Sequence, residues 1–186
     1  LQDHGFSHFE EPCPYWELEQ TKQVTDHLDI DVTGGEQDCD LPTWRRMIDM
    51  RAVDIVQPDI TWLGGLTEAR RVVALASSYD VLVIPHGSSV YSYHLQYAFE
   101  NCPMAEFLNL SPKSDRIEPY FGTLFPDEPL PKDGFIDLPD RPGFGVTLNK
   151  KGLRRPYVIY LYTHTHTSSH AFYFQLKQVR QIQGTD

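Results

Sequence analysis

Short β-branched or apolar runs alternate with stretches of helical period along the first 110 residues. Ser7-His8-Phe9 leads into Glu10-Glu11-Pro12, and a helical stretch is predicted from about Tyr15 to His27. Asp29-Ile30-Asp31-Val32-Thr33 reads as a strand that stops at Gly34-Gly35-Glu36. Leu41 to Met50 reads as a helix, with Asp40 placed to cap it and Pro42 in its first turn. Val53 to Gln57 is a strand ending at Pro58-Asp59. Leu66 to Tyr79 carries Leu66, Ala69, Val72, Val73 and Ala76 on one stripe, with Arg70 and Arg71 off it, the mark of an amphipathic helix. Val81 to Ile84 is an all-apolar strand ending at Pro85-His86, Ser89 to Asn101 is helix-like, and Phe107 to Leu110 is a last strand.

Strand and helix alternating in this way predict βαβ units and a parallel α/β sheet. The strands lack a polar face, as strands covered on both sides do. Residues 111–157 are rich in proline and glycine and are expected to wrap the same domain as an ordered loop with short strands. Residues 158–186 form an atypical tail. It holds the apolar, strand-prone run Val158 to Tyr162 and the Thr-His repeat Thr163 to Thr167, with no core pattern through it.

Charge and cysteine content narrow the function. The 26 Asp and Glu against 16 Lys and Arg give a formal net charge of −10, which argues against a nucleic-acid partner, since phosphate binding needs clustered positive charge. No apolar run approaches the roughly 18 residues of a membrane span. Cys13, Cys39 and Cys102 are far apart and odd in number, so unpaired thiols and a reducing cytoplasm are expected. Leu1 is neither a methionine nor the start of a leader pattern; a natural start upstream is expected.

The polar residues at strand ends point to a site. Glu10, Glu36, Asp59, His86 and Glu106 each lie at or beside one end of a predicted strand, at gaps of 26, 23, 27 and 20 residues. In a parallel barrel those ends meet on one face, where the βα loops build the active site. Glu10 and Glu36 suit a hard cation such as Mg²⁺, which takes oxygen ligands; Glu11 competes with Glu10 for that role. Asp59 and His86 suit a dyad, in which the carboxylate fixes the tautomer of the imidazole and leaves its other nitrogen to move protons. Plainer readings stand beside these. Glu10 could be a solvated loop acid, Glu36 an acid at a helix N-terminus, Asp59 a cap of the turn that follows it, His86 a core histidine, and Glu106 an exposed acid.

Phe9-Glu10-Glu11-Pro12, Thr33-Gly34-Gly35-Glu36, Gln57-Pro58-Asp59 with Gly64 to Ala69, and Ile84-Pro85-His86-Gly87-Ser88-Ser89 occur in one order and spacing. Together they resemble the mandelate-racemase branch of the enolase superfamily. His86 to His94, Glu106-Phe107-Leu108, Asp140 to Asn149 and Arg155-Pro156-Tyr157 are most similar to the acid-sugar dehydratases of the L-rhamnonate type. The resemblance covers about residues 6–157. It implies the C-terminal part of a (β/α)₈ barrel, strands four to eight, over residues 1–110. It implies Glu10 and Glu36 as Mg²⁺ ligands, and His86, paired with Asp59, as the acid/base. Glu106 would bond the substrate carboxylate or orient the site. The implied reaction abstracts the proton α to a carboxylate and eliminates water from a sugar acid, giving a 2-keto-3-deoxy acid, in an enzyme expected to be a homo-oligomer. The superfamily's His or Lys base acting with Mg²⁺ is a known pattern.

Two features of the family cannot be placed in this sequence: the N-terminal capping domain and the Asp ligand on the third strand. Residues 158–186 have no counterpart. A racemase or cycloisomerase of the same superfamily is the first rival, and a non-catalytic truncated chain that binds a partner is the second. The isolated chain is expected to be inactive. Ser88 near His86 is not read as a nucleophile, because no GxSxG elbow surrounds it. His164, His166 and His170 are read as low-complexity repeat, and Lys150, Lys151, Arg154 and Arg155 as a solvated basic patch.

Overall fold

The computed structural model describes residues 1–87, 89–151 and 153. Ser88, Gly152 and residues 154–186 lie outside them, and with them the expectations for Ser88, the arginines of the basic patch, the apolar run from Val158 and the histidine repeat. Residues 1–153 form one compact unit.

The elements run in chain order: β1 (His8–Glu10), α1 (Leu18–Thr25), β2 (Asp31–Gly34), α2 (Leu41–Asp49), β3 (Ile55–Val56), α3 (Leu66–Ser77), β4 (Leu82–Val83) and α4 (Tyr93–Ala98). The sheet order is β1-β2-β3-β4 and every pairing is parallel, with Glu10 opposite Thr33, Gly34 opposite Val56 and Val56 opposite Val83. Each strand is joined to the next through a helix, as parallel pairing demands. Val32, Thr33, Ile55, Val56 and Val83 are all buried, which explains why their strands read as apolar without alternation.

Helix α2 starts where the sequence says it should. The Asp40 side chain accepts from the Thr43 backbone N–H at 3.0 Å, and Pro42 occupies the first turn, where no intrahelical donor is needed. The helix then buries Trp44, Met47 and Ile48. Asp40→Ala is expected to cost about 1 kcal/mol of unfolding free energy, read from the urea midpoint; an unchanged midpoint would show that the cap contributes nothing. Helix α3 follows Gly64 and Gly65, which take φ of +100° and +95°, and buries the predicted stripe of Ala69, Val72, Val73 and Ala76.

Three expectations are corrected. Phe107 to Leu110 forms no strand, so the described sheet has four strands and not five. Pro103 removes a donor at the approach to this segment, and the Val83 N–H that faces outward from β4 is taken by the Asn101 carbonyl at 2.8 Å. The segment is tied in by side chains: Leu108 packs on Gly87 and Glu106 bonds the Gly87 N–H. The helix expected over Ser89 to Asn101 is instead a 3₁₀ turn (Ser89–Tyr91) followed by α4. In the proline-rich wrap, the described residues contain one isolated antiparallel bridge, Lys132 to Phe135, and no strand. The wrap is held by side chains, among them a Tyr91 ring meeting Phe121, Phe125 and Phe144 edge-on.

Candidate active site

The ladder continues past the strand ends, and this continuation sets the site. The Glu11 N–H donates to the Thr33 carbonyl, Gln57 N–H to Gly34, and His86 N–H to Pro58, at 2.9, 2.9 and 3.1 Å. The segments that follow Glu10, lead to Asp59 and carry His86 are thus pinned to their neighbours at the C-terminal edge of the sheet.

His86 lies at the centre. Its Nδ1 is 2.8 Å from Asp59 Oδ2 and its Nε2 is 3.1 Å from Glu36 Oε2. Asp59, 6% exposed, also uses its other oxygen. Oδ1 accepts from the Thr61 N–H at 2.6 Å, the Thr61 hydroxyl at 2.5 Å and the Trp62 N–H at 3.1 Å. The capping role and the dyad geometry are therefore both present, one on each oxygen. Thr61, in the sequence Asp59-Ile60-Thr61, is a residue the sequence reading missed. An Asp two residues before a Thr is the signal that could have found it.

Charge follows from this geometry. Burial would raise the Asp59 carboxyl, but the bonds from His86, Thr61 and Trp62 outweigh it and hold it well below the usual carboxylate range. The bond to Asp59 raises His86; burial opposes, Glu36 and Glu106 add to the rise, and the imidazole reaches about 9. Glu36 is raised, first by burial and then by the like charges of Glu11, Glu10 and Glu106, against the attraction of His86. Glu106 is also raised by burial, with the Gly87 bond and His86 pulling the other way and Glu10 adding to the rise. These interactions link Glu10, Glu36, Glu106 and His86 electrostatically, and Asp59 joins them through His86. Glu106 Oε2 accepts from the Gly87 N–H at 2.6 Å, so here it holds the loop that follows His86.

Glu10 and Glu36 offer the oxygen donors that a hard cation takes, and the repulsion Glu36 receives from its acidic neighbours is what such a cation would relieve. Among the described residues, no three His, Cys, Asp or Glu side chains converge as a complete ligand set. The two carboxylates fit part of a larger set. Also among the described residues, no helix is long and apolar enough to cross a membrane, and Cys13, Cys39 and Cys102 are free.

The sequence profile of the enolase C-terminal domain-like family matches residues 1–152. The chain belongs to that family. Its parallel sheet with covering helices is the C-terminal part of the enolase-type (β/α)₈ barrel. Among similar proteins, the L-rhamnonate dehydratase of Saccharopolyspora erythraea is 45% identical over 147 residues, covering 78% of this chain and 37% of that protein. The crystal structure of a candidate racemase from Roseobacter denitrificans is 52% identical with a TM-score of 0.75, covering 83% of this chain and 43% of that one. The rhamnonate dehydratase of Gibberella zeae complexed with Mg is 38% identical with a TM-score of 0.75, covering 82% and 38%. The enolase-family chain described here thus spans about two fifths of the length of these relatives.

Proposed function

We propose that this chain carries the proton-transfer residues and part of the metal site of an acid-sugar dehydratase, acting on L-rhamnonate or a related sugar acid. The observation that supports this most is the imidazole held between two carboxylates, Asp59 on Nδ1 and Glu36 on Nε2, at the end of the sheet where barrel enzymes bind substrate. The two dehydratase relatives support the substrate class, and the Gibberella zeae structure supports Mg²⁺.

In this reading Glu10 and Glu36 hold Mg²⁺, which supplies positive charge where the substrate carboxylate gains negative charge as its α proton leaves. Asp59 keeps the proton on Nδ1 of His86. That leaves Nε2 as the atom that takes the α proton and returns it to the departing β-hydroxyl, so that water leaves. With Glu36 uncompensated, His86 is a cation at neutral pH. Neutralising Glu36 removes part of that stabilisation and frees the imidazole to act as base. Glu106, through Gly87, orients the loop. A reducing cytoplasm suits the three free thiols.

The test is a chimera in which residues 1–152 replace the matching segment of the Saccharopolyspora erythraea enzyme. With Mg²⁺ it is expected to convert L-rhamnonate to the 2-keto-3-deoxy acid. His86→Asn in the chimera should lower kcat/KM by about 10²–10⁴-fold. A folded chimera without turnover, or one indifferent to His86→Asn, would sink the reading. Residues 1–186 alone are expected to give no product, because a four-strand sheet leaves two open edges and only part of the ligand set. The candidate racemase favours a second reading. Exchange of the α hydrogen with D₂O, without loss of water, would support it.

A further inference from the structure

A small cavity is lined by residues of β2, α1, α2 and the loops beside them, and neither His86 nor Asp59 is among its lining residues. It has a volume of about 20 Å³, room for one water-sized particle, and Leu18, Met47 and Val53 form its apolar wall. Two carboxylates line it. Asp38 is 6% exposed, and its Oδ2 is fully shielded from solvent without a hydrogen-bond partner. Glu11 Oε1 is in the same condition, while its Oε2 accepts from Gln37 Nε2 at 3.2 Å. The Glu11 side chain runs beside Gly34, its Cγ at ordinary contact distance, 3.6 Å, from where a Cβ there would stand.

Two buried carboxylate oxygens with no donor are costly. None of the cavity's lining residues is Lys, Arg or His, so nothing there balances the charge. A water could donate to both oxygens but would leave the like charges unopposed. A small cation would answer both deficits, and oxygen donors select a hard one.

We propose that Glu11 and Asp38 form a second cation site, taking one small oxygen-seeking metal ion of the Na⁺, Mg²⁺ or Ca²⁺ class, separate from the Glu10 and Glu36 carboxylates. An ion there braces the β1–α1 and β2–α2 loops against each other; the first begins directly after Glu10 and the second carries Glu36.

Tb³⁺ is the probe, because Tyr15 also lines the cavity and can sensitise its emission. The full chain with Glu10→Gln and Glu36→Gln together is titrated with Tb³⁺ at neutral pH. One emitting ion per chain is expected, displaced by excess Ca²⁺. Adding Asp38→Asn, or separately Glu11→Gln, should weaken that binding at least about tenfold, the smaller end of what loss of even an outer-sphere partner does. Absence of an emitting ion in the Glu10→Gln/Glu36→Gln chain would overturn the proposal, and so would undiminished binding in both further variants. If Asp38→Asn does not fold, Glu11→Gln decides, since Glu11 is only half-buried. Dehydratase activity plays no part in this readout.

Discussion

Gly35→Ala is expected to destabilise the compact unit by about 2–5 kcal/mol. Gly35 takes φ +111°, a conformation side chains rarely adopt, and a Cβ there would meet two atoms of the Trp44 ring at 2.5 and 2.6 Å. Trp44 is wholly buried and has no free direction in which to move. Strain and collision therefore add. Gly5→Ala is the control: φ is +73° but nothing lies within 4 Å of its Cβ, so only the strain contributes. Urea unfolding of the two variants measures the difference, and equal losses would show that Trp44 yields without cost. Because Gly35 precedes Glu36, the same variant should displace the carboxylate that faces His86.

Asp59→Asn is expected to lower the His86 pKa from about 9 toward the ordinary value of about 6.5. The bond to Asp59 is the largest cause of the rise. An amide can still accept from Thr61 and Trp62, but it carries no charge to hold an imidazolium. The titration is followed by NMR of the His86 ring protons in the full chain. Continued titration near pH 9 would remove Asp59 from the account. Stability carries the same sign. A folded-state pKa above the unfolded one means that His86 stabilises the parent fully below about pH 6.5, and that this contribution is lost as pH rises through about 9. The variant should lack this alkaline loss.

Much of this was legible in the sequence because local chemistry and tertiary position agreed. Asp40 caps α2, the Ala69–Val72–Val73–Ala76 stripe is buried, and Asp59 and His86 end consecutive strands and meet. The failures have physical causes. Phe107 to Leu110 is apolar enough for a strand, but a strand also needs an available partner, and Val83 had given its donor to Asn101. No continuous helix starts at Ser89 because Ser89 takes φ +48°, outside the right-handed helical range, a backbone state that composition does not announce. Thr61 was missed because its contribution is local, two residues from Asp59, while attention to strand-end acids looks across 20 to 27 residues. The Glu36 to His86 contact depends on loop geometry that no spacing rule supplies.

The sheet order β1-β2-β3-β4 has a kinetic meaning as well. Each strand pairs with the one synthesised just before it, so no strand waits for a later one. The loop to be closed at each step is a single helix and its turns, and the entropy of closure rises only slowly with such lengths. Contacts of this short range favour fast folding. A sheet of this order can be laid down unit by unit as the chain leaves the ribosome. Among the described strands, β4 follows β3, so the contact between His86 and Asp59 forms only once the three strands before it are in place.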